Sequence, residues 1–577
     1  MSNPILLRMK QLEDVKKDYE ELISTSAKFT NPRRELMRDS QRFDLKGQKR
    51  GKDIFDNTPA TALGIWRDGM QGFMVSESLR WFKAETSDWR LNNVDDVRKF
   101  LQEYDEAMYA GYSRSNYYSV LNEWFNDAGS VGTGTLYTEE DIKSGTTVHI
   151  PIHLREIFIA ENRFQEVDVL FRKFFLTARQ AAQKFGEDKL SADIVKNAKE
   201  HPEKPHEFIH AVFPNDERQF GSISSTNKRF KSVYIQTRQS GADNQPNQQS
   251  NTFVNTKGKL VTDIVKEGGY DVFPYAVWRY RKNSDEVYGY SPSMDFIVSV
   301  EKMNTIGKTL LQAAHLSVKP AMNIPDHMRG NVRLGPNGHN YMKTDGGKIE
   351  AIQTGINFPV GIDREERYEK TIMDGYRVEF FKAFIGRQGE ATATEIMEIK
   401  SEQAQLMGPQ VNRLTIDGLS KNFNVVADIE EKAGRLPEPP QILLDRMEEE
   451  KLRGDRRTKI NIRFTGPLAQ AQRRMFLLQP IKNGLREIAE ASVIFPNIND
   501  RIKEQDLAEA ILDASDFPQA LMRTDDEVEE MRQAREEALA QQQQMEQAVQ
   551  MADAVPKLSK KPESGSPAEM IGAELGA

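Results

Sequence analysis

The chain has 577 residues, 29% of them charged and 38% hydrophobic, with a formal charge of −8 and no cysteine. That length exceeds a single core, so several domains or one elongated subunit are expected. The composition excludes disulfides, thiolate metal sites and thiol nucleophiles; no apolar run reaches bilayer length, and the acidic balance argues against a protein that grips phosphate strongly.

Met1 to Lys10 has no sustained apolar core, which predicts a soluble product made inside the cell. Residues 1–128 read as mainly helical, with Ile5 to Ile23 leading into a basic turn at Asn31-Pro32-Arg33-Arg34. Trp66, Trp81, Trp89 and Trp124 fall in this part and are expected in the core. From 129 to 290 the hydrophobic period shifts toward two, with strand-like runs at Val148 to Ala160, Val167 to Leu176, Glu207 to Phe213 and Ser232 to Gln236. Thr177 is a candidate cap for a helix running to Phe185, with Gly186 as its stop. Residues 237–254, rich in Gln, Asn, Ser and Gly, predict a mobile loop. The mixture predicts an α+β body.

Ser291-Pro292 opens a long helix that closes at Lys319-Pro320, with Phe296, Val300, Met303, Leu310 and Ala314 on one face. The insert at 321–362 carries turn formers at Gly335-Pro336-Asn337-Gly338 and Asp345-Gly346-Gly347 between the short runs Asn340–Thr344 and Lys348–Ile352, predicting a small β-hairpin module. A second helix opens at Asp363, with Glu366 completing a capping box. Along it Tyr368, Ile372, Tyr376, Phe380 and Phe384 recur at every fourth position, a packing seam.

Gly386-Arg387-Gln388-Gly389-Glu390 then interrupts, and Thr392 with Glu395 restarts a third helix, 392–434. A kink or break is expected at Gly408-Pro409. Leu436-Pro437 ends the helix, a strand follows at Lys459 to Phe464, and helices resume beyond Pro467. Val528, Met531, Ala538, Met545 and Val549 sit at heptad-like positions, although Arg535 and Gln542 spoil the seam; such a helix suits a ring of copies better than a pair. The tail from Lys557 is expected to be disordered.

Few residues invite chemistry. Gly386–Glu390 is not a phosphate loop, because no Lys follows it. His149 and His153 flank Ile150-Pro151-Ile152 and would sit about 13 Å apart on a strand, too far to share a metal. His201, His206 and His210 also lack a helical spacing, and neither Gly-x-Ser-x-Gly nor His-Glu-x-x-His occurs.

Several runs occur in a telling order: Gly129-Ser130-Val131-Gly132, Phe273-Pro274-Tyr275, Tyr288-Gly289-Tyr290-Ser291-Pro292, the Asp295 to Met303-Asn304 helix, Gly389-Glu390-Ala391-Thr392-Ala393-Thr394-Glu395-Ile396, and Arg463-Phe464-Thr465-Gly466-Pro467. Taken together, the chain resembles the portal proteins (head-to-tail connectors) of tailed bacteriophages, most closely the short-tailed kind. The resemblance implies an α+β portal fold: wing 1–290, first stem helix 291–318, clip 319–362, second stem helix 363–385, tunnel loop 386–391, long wing helix and returning strand 392–470, and crown or barrel helices with a disordered tail 471–577.

It further implies a homo-oligomeric ring of about twelve chains at one capsid vertex, assembled in the host cytoplasm and kept in the virion. Double-stranded DNA would be packaged and ejected through its channel without sequence readout. The partners implied are the terminase large subunit, tail adaptors, capsid and scaffolding protein; no membrane, cofactor, metal or catalytic residue is implied. Gly386, Arg387, Gln388, Gly389 and Glu390 would touch DNA, with Arg387 either reaching phosphate or pairing with Glu390. Arg329, Arg333, Lys343 and Lys348 would dock partners, and the row Tyr368, Ile372, Tyr376, Phe380, Phe384 would pack between subunits. The alternative left open is a nucleic-acid-modifying enzyme with an unrecognised carboxylate metal site, since Asp and Glu number 87.

Overall fold

The computed structural model describes residues 4–35, 51–86, 88, 90–219, 224–237, 252–254, 260–262, 264–330, 332–333, 339–341, 348–352, 358–386, 406–452, 460–466, 477–492, 495, 502–514, 523 and 525–558. They divide into two units, Met1–Gln479 and Pro480–Ala577.

The first unit starts with α1 (Pro4–Thr30), α2 (Thr58–Met74), β1 (Phe82–Glu85), α3 (Asp95–Arg114) and α4 (Tyr117–Val131). There follow β2 (Thr133–Asp141), β3 (Thr146–Ile152), β4 (Ile157–Glu161), β5 (Val167–Thr177), α5 (Ala178–Phe185), α6 (Ala192–Glu200), β6 (Pro205–Pro214), β7 (Phe230–Gln236), β8 (Thr252–Val254), β9 (Leu260–Thr262), β10 (Ile264–Tyr270) and β11 (Tyr275–Arg279). The remainder is α7 (Pro292–Asp295), α8 (Ile297–Val318), β12 (Met322–Asn323), β13 (Glu350–Ala351), α9 (Phe358–Gly375), α10 (Val378–Gly386), α11 (Gly408–Arg413), a π-helical turn (Leu414–Leu419), α12 (Ser420–Lys432), α13 (Gln441–Leu452) and β14 (Asn461–Phe464). The second unit holds α14 (Gln479–Ser492), α15 (Glu504–Ala514) and α16 (Asp525–Leu558). The expected disordered tail lies outside the described residues beyond 558.

Two antiparallel sheets form the β-rich part, one in the order β10-β7-β6-β5-β4 and one in the order β11-β2-β3. The run expected as one strand from Val148 to Ala160 is two strands in different sheets. His153 explains the switch: its Nδ1 accepts the Arg155 backbone N–H at 3.1 Å and starts a single 3-10 turn between them. Thr177 caps α5 in a full capping box with Gln180, and Gly186 stops the helix at φ +83°.

The largest core gathers α2, α3, α4, β1, α9, α10 and α12 around Trp66, Trp81, Trp124 and Trp278, all fully buried. Trp89 lies outside the described residues. The returning strand β14 pairs antiparallel with β1, Phe464 opposite Phe82, and so ties residues near 464 back to the N-terminal helices.

Three expectations are corrected. The second long helix starts at Phe358 instead of Asp363, using Pro359 in its first turn. It also breaks at Arg377, whose φ of +52° no α-helix accommodates, giving α9 and α10. The first long helix is not continuous from Ser291-Pro292 either: Phe296, at φ −119°, separates α7 from α8. The break expected at Gly408-Pro409 is present, since α11 starts at Gly408 after the turn at Met407 with Pro409 in its first turn, and the π turn at Leu414–Leu419 is a further irregularity.

Candidate functional site: the root and tip of a helical hairpin

Helices α8 and α9 run antiparallel: an ideal Cβ on Gly375 would lie 2.3 Å from Phe296, and one on Gly361 would lie 2.7 Å from Leu310. The hairpin is rooted where small residues let three segments touch. Gly132 closes α4 at φ +79°, and a Cβ there would lie 2.2 Å from the Gly289 carbonyl oxygen. A Cβ on Gly289 would lie 2.1 Å from the Gly132 carbonyl oxygen in return. The backbones are held by hydrogen bonds from Tyr280 N to Gly132 O at 2.9 Å and from Gly289 N to Thr133 Oγ1 at 2.8 Å.

Beside this contact lies a cluster of four buried serines. Ser26 Oγ donates to Ser130 O at 2.6 Å and meets Ser293 Oγ at 2.6 Å, while Ser291 Oγ and Ser293 Oγ are 2.8 Å apart. Ser291 is also the N-cap of α7, accepting from Met294 N. The cluster joins α1, α4 and α7 without a large side chain, so the helices approach closely with their polar groups satisfied. Tyr376, at the end of α9, donates from Oη to Gly129 O at 3.4 Å and packs edge-on to Phe296 and beside Trp66.

The aromatic row therefore has a different role from the one expected. Ile372, Tyr376 and Phe380 are buried in the chain's own core, Phe380 against Phe73, so they are not available to a neighbouring subunit. Each contributes about 1.5–3 kcal/mol by burial within the chain. Tyr368 is half-buried against the same core; Phe384 lies in α10 but its side chain is outside the described residues. Gly386 ends α10, and Arg387, Gln388, Gly389 and Glu390 lie outside the described residues.

At the other end of the hairpin, Met322 pairs with Ala351 and Asn323 with Glu350, a narrow neck formed by the chain entering and leaving the insert. Of the runs expected in a small β-hairpin module, Glu350 and Ala351 pair with the chain entering the insert, and residues 342–347 lie outside the described residues. Short strands at the neck pair because α8 and α9 deliver them side by side. Beyond the neck Arg333 N donates to Asn340 Oδ1 at 2.7 Å and Asn340 Nδ2 donates to Arg333 O at 2.8 Å. Arg329, Arg333 and Lys348 are exposed there; Lys343 lies outside the described residues.

His149 and His210 serve packing. His149 is buried in β3, its Nδ1 3.0 Å from Thr138 Oγ1, and loss of solvation pushes its pKa down to about 3. His210 stacks on Tyr234 at 3.9 Å and bonds to Tyr275 Oη and Ser232 Oγ. Among the described residues no three His, Asp or Glu side chains gather as metal ligands, and no helix is long and apolar enough to cross a membrane.

The segments that meet at the root, 129–132, 288–292 and the start of α8, are those whose order marked the resemblance. The family model described as bacteriophage head to tail connecting protein matches residues 3–522. The chain belongs to that family. Its relatives include the portal protein of Salmonella phage epsilon15, 25% identical over 561 residues that cover 95% of this chain and 93% of that one. The probable portal protein of Bordetella phage BPP-1 is 25% identical over 434 residues, covering 74% and 72%. As a head to tail connecting protein, the chain works in the virion between capsid and tail.

This connector carries a charge constellation that no sequence motif signalled. Arg279, 1% exposed at the end of β11, is held by Glu161 and by Asp417 at 3.2 Å, the latter from the π turn. Lys282 meets Glu161 at 3.0 Å, and Arg413 meets Asp417 at 3.3 Å.

Proposed function

We propose that this connector is the portal itself, a ring of about twelve chains with cyclic symmetry through which double-stranded DNA is packaged and later ejected. The hairpin of α8 and α9 would be the stem, its tip the clip, the β-rich body and α12 the wing, and α14–α16 the crown. The terminase large subunit and then tail adaptors would dock on the clip through Arg329, Arg333, Lys343 and Lys348. Capsid and scaffolding protein would surround the wing, and residues 386–390 would face DNA.

One observation supports ring assembly above all. The first stem helix leaves apolar side chains exposed on two different sides: Val298 with Leu316, and Leu311 with Val318. Val298 and Leu316 are about five turns apart and share one side; Leu311 and Val318, about two turns apart, share a side roughly 150° away. Opposed, unlike apolar stripes suit a heterologous contact that repeats head to tail and closes into a ring, whereas a twofold dimer needs only one. Contacts between subunits are thus assigned to these exposed stripes and not to the buried aromatic row.

Native mass spectrometry and electron micrographs of the purified chain test the reading. Closed rings with an open bore are expected, and Val318→Asp with Leu316→Asp should leave folded monomers. A wild-type chain that stays monomeric at micromolar concentration, or a double variant that still closes rings, would refute it.

A further inference from the structure

The helix from Gly408 to Lys432 contains one π-helical turn with regular α-helix on both sides. A single π turn amounts to one extra residue in the helix, and such turns recur where a side chain must be re-aimed. Both flanks are fixed in register. Val411 is buried before the turn, and after it Asn422 donates to Thr138 Oγ1 at 3.0 Å while Glu430 holds Arg435 at 2.6 Å. The extra residue is accommodated by two neighbours with opposite fates: Ile416 is exposed, whereas Asp417 turns inward onto Arg279.

Arg279 in turn lies directly behind the stem root. A Cβ on Gly289 would lie 2.9 Å from Arg279 Cβ, and an Arg279 Nη group is 3.5 Å from Val287 O. The guanidinium therefore spans Glu161 of the wing sheet, the 287–289 segment of the root and Asp417 of the long helix. A cavity of about 310 Å³, lined by Asp417, Lys421, Glu166, Tyr275 and Arg279, adjoins the pair, so Asp417 has space to swing out.

We propose that the π turn is a one-residue insertion whose purpose is to place Asp417 on Arg279, and that this pair is a latch between the long wing helix and the stem root. With the latch closed, the rotational setting of the helix and the position of residues 287–289 are fixed together. With it open, the extra residue is free to migrate along the helix and the root loosens. The latch thus links the helix that follows the DNA-facing segment to the stem. Its role in DNA passage rests on the portal reading; the coupling itself does not.

Hydrogen exchange on the full-length protein tests the coupling without any packaging assay. Asp417→Asn keeps the side-chain shape and removes the charge, and deletion of Ile416 removes the extra residue while leaving both flanks in register. Each is expected to speed exchange about tenfold in 411–421 and also in 286–292, with β6 unchanged, since a shared element opens as a unit. An effect confined to 411–421, a uniform rise that includes β6, or wild-type protection of 286–292 in the deletion variant would overturn the latch. In phage, Asp417→Asn rings should form with the wild-type subunit count but retain about tenfold fewer genomes, a loss of coupling and not of fold; full retention would overturn the functional role. Wild-type rings that never carry DNA would sink the portal reading while the exchange result still decides the latch.

Discussion

Three glycines separate backbone conformation from space: Gly145 in the turn between β2 and β3, and Gly289 and Gly132 at the stem root. Gly145 has φ +64° and nothing within 4 Å of an added Cβ, so Gly145→Ala should cost only the left-handed penalty, about 1–2 kcal/mol. Gly289 lacks such a φ, but its Cβ would stand 2.1 Å from the Gly132 carbonyl oxygen. Ordinary contact is about 3.5 Å, so the two backbones must part by roughly 1.4 Å. That separation strains the bonds from Gly289 N to Thr133 and from Tyr280 N to Gly132, each worth about 1 kcal/mol, on top of about 1–3 kcal/mol for overpacking. Gly289→Ala should therefore cost about 3–5 kcal/mol, and Gly132→Ala, which meets both penalties, more. Because the two residues touch, the double variant should cost less than the sum of the singles. Urea unfolding followed by tryptophan fluorescence is suitable, since Trp124 and Trp278 are buried close by. If Gly289→Ala falls within about 1 kcal/mol of wild type, or no further from it than Gly145→Ala, the close-approach argument is wrong.

How much of this was legible in the sequence depends on the range of the signal. Local chemistry was readable: Thr177 caps the helix it was expected to cap, Ser291-Pro292 starts a helix where expected although only the short α7 and not the long α8, and the glycine-rich runs at 129–132 and 288–292 lie at the root. Helix ends fixed from a distance were not. Asp363 offered a plausible start, yet α9 begins at Phe358, where the chain leaves the neck already aligned with α8. β2, β10 and β11 escaped notice because their ladders, not their residue pattern, define them; Gly134 and Thr135 in β2 are buried by pairing with Trp278 and Val277. The every-fourth aromatic row correctly signalled burial but not its partner, since periodicity reports a covered face and is silent on whether the cover comes from the same chain. Arg279, Glu161 and Asp417 are separated by more than a hundred residues, so no spacing rule could assemble them.

Further outcomes concern buried polar groups. Lys16 is fully buried, its Nζ donating to Leu154 O at 2.5 Å and Ile157 O at 2.9 Å; Lys16→Met should strand both carbonyls and cost about 2–4 kcal/mol in denaturant titrations, and an unchanged midpoint would contradict this. Asp105 accepts from Ala84 N in β1, and burial raises its pKa to about 7. Its folded value exceeds the unfolded one, so its unfavourable contribution grows as pH rises from about 4 to 7; Asp105→Asn should gain stability over wild type across that range and hold the gain above it. His149 works in the opposite sense. Desolvation lowers its folded pKa to about 3, so the unfolded chain takes up the proton first as pH falls below about 6.5. Its contribution is complete above that pH and is lost toward pH 3 with a slope near 1.4 kcal/mol per unit at most. His149→Gln should flatten the acid limb of the stability profile while leaving the limb above pH 7 parallel to wild type. A variant whose acid limb keeps the wild-type slope would show that some other group, His210 first among them because it is buried and shifted the same way, governs acid unfolding.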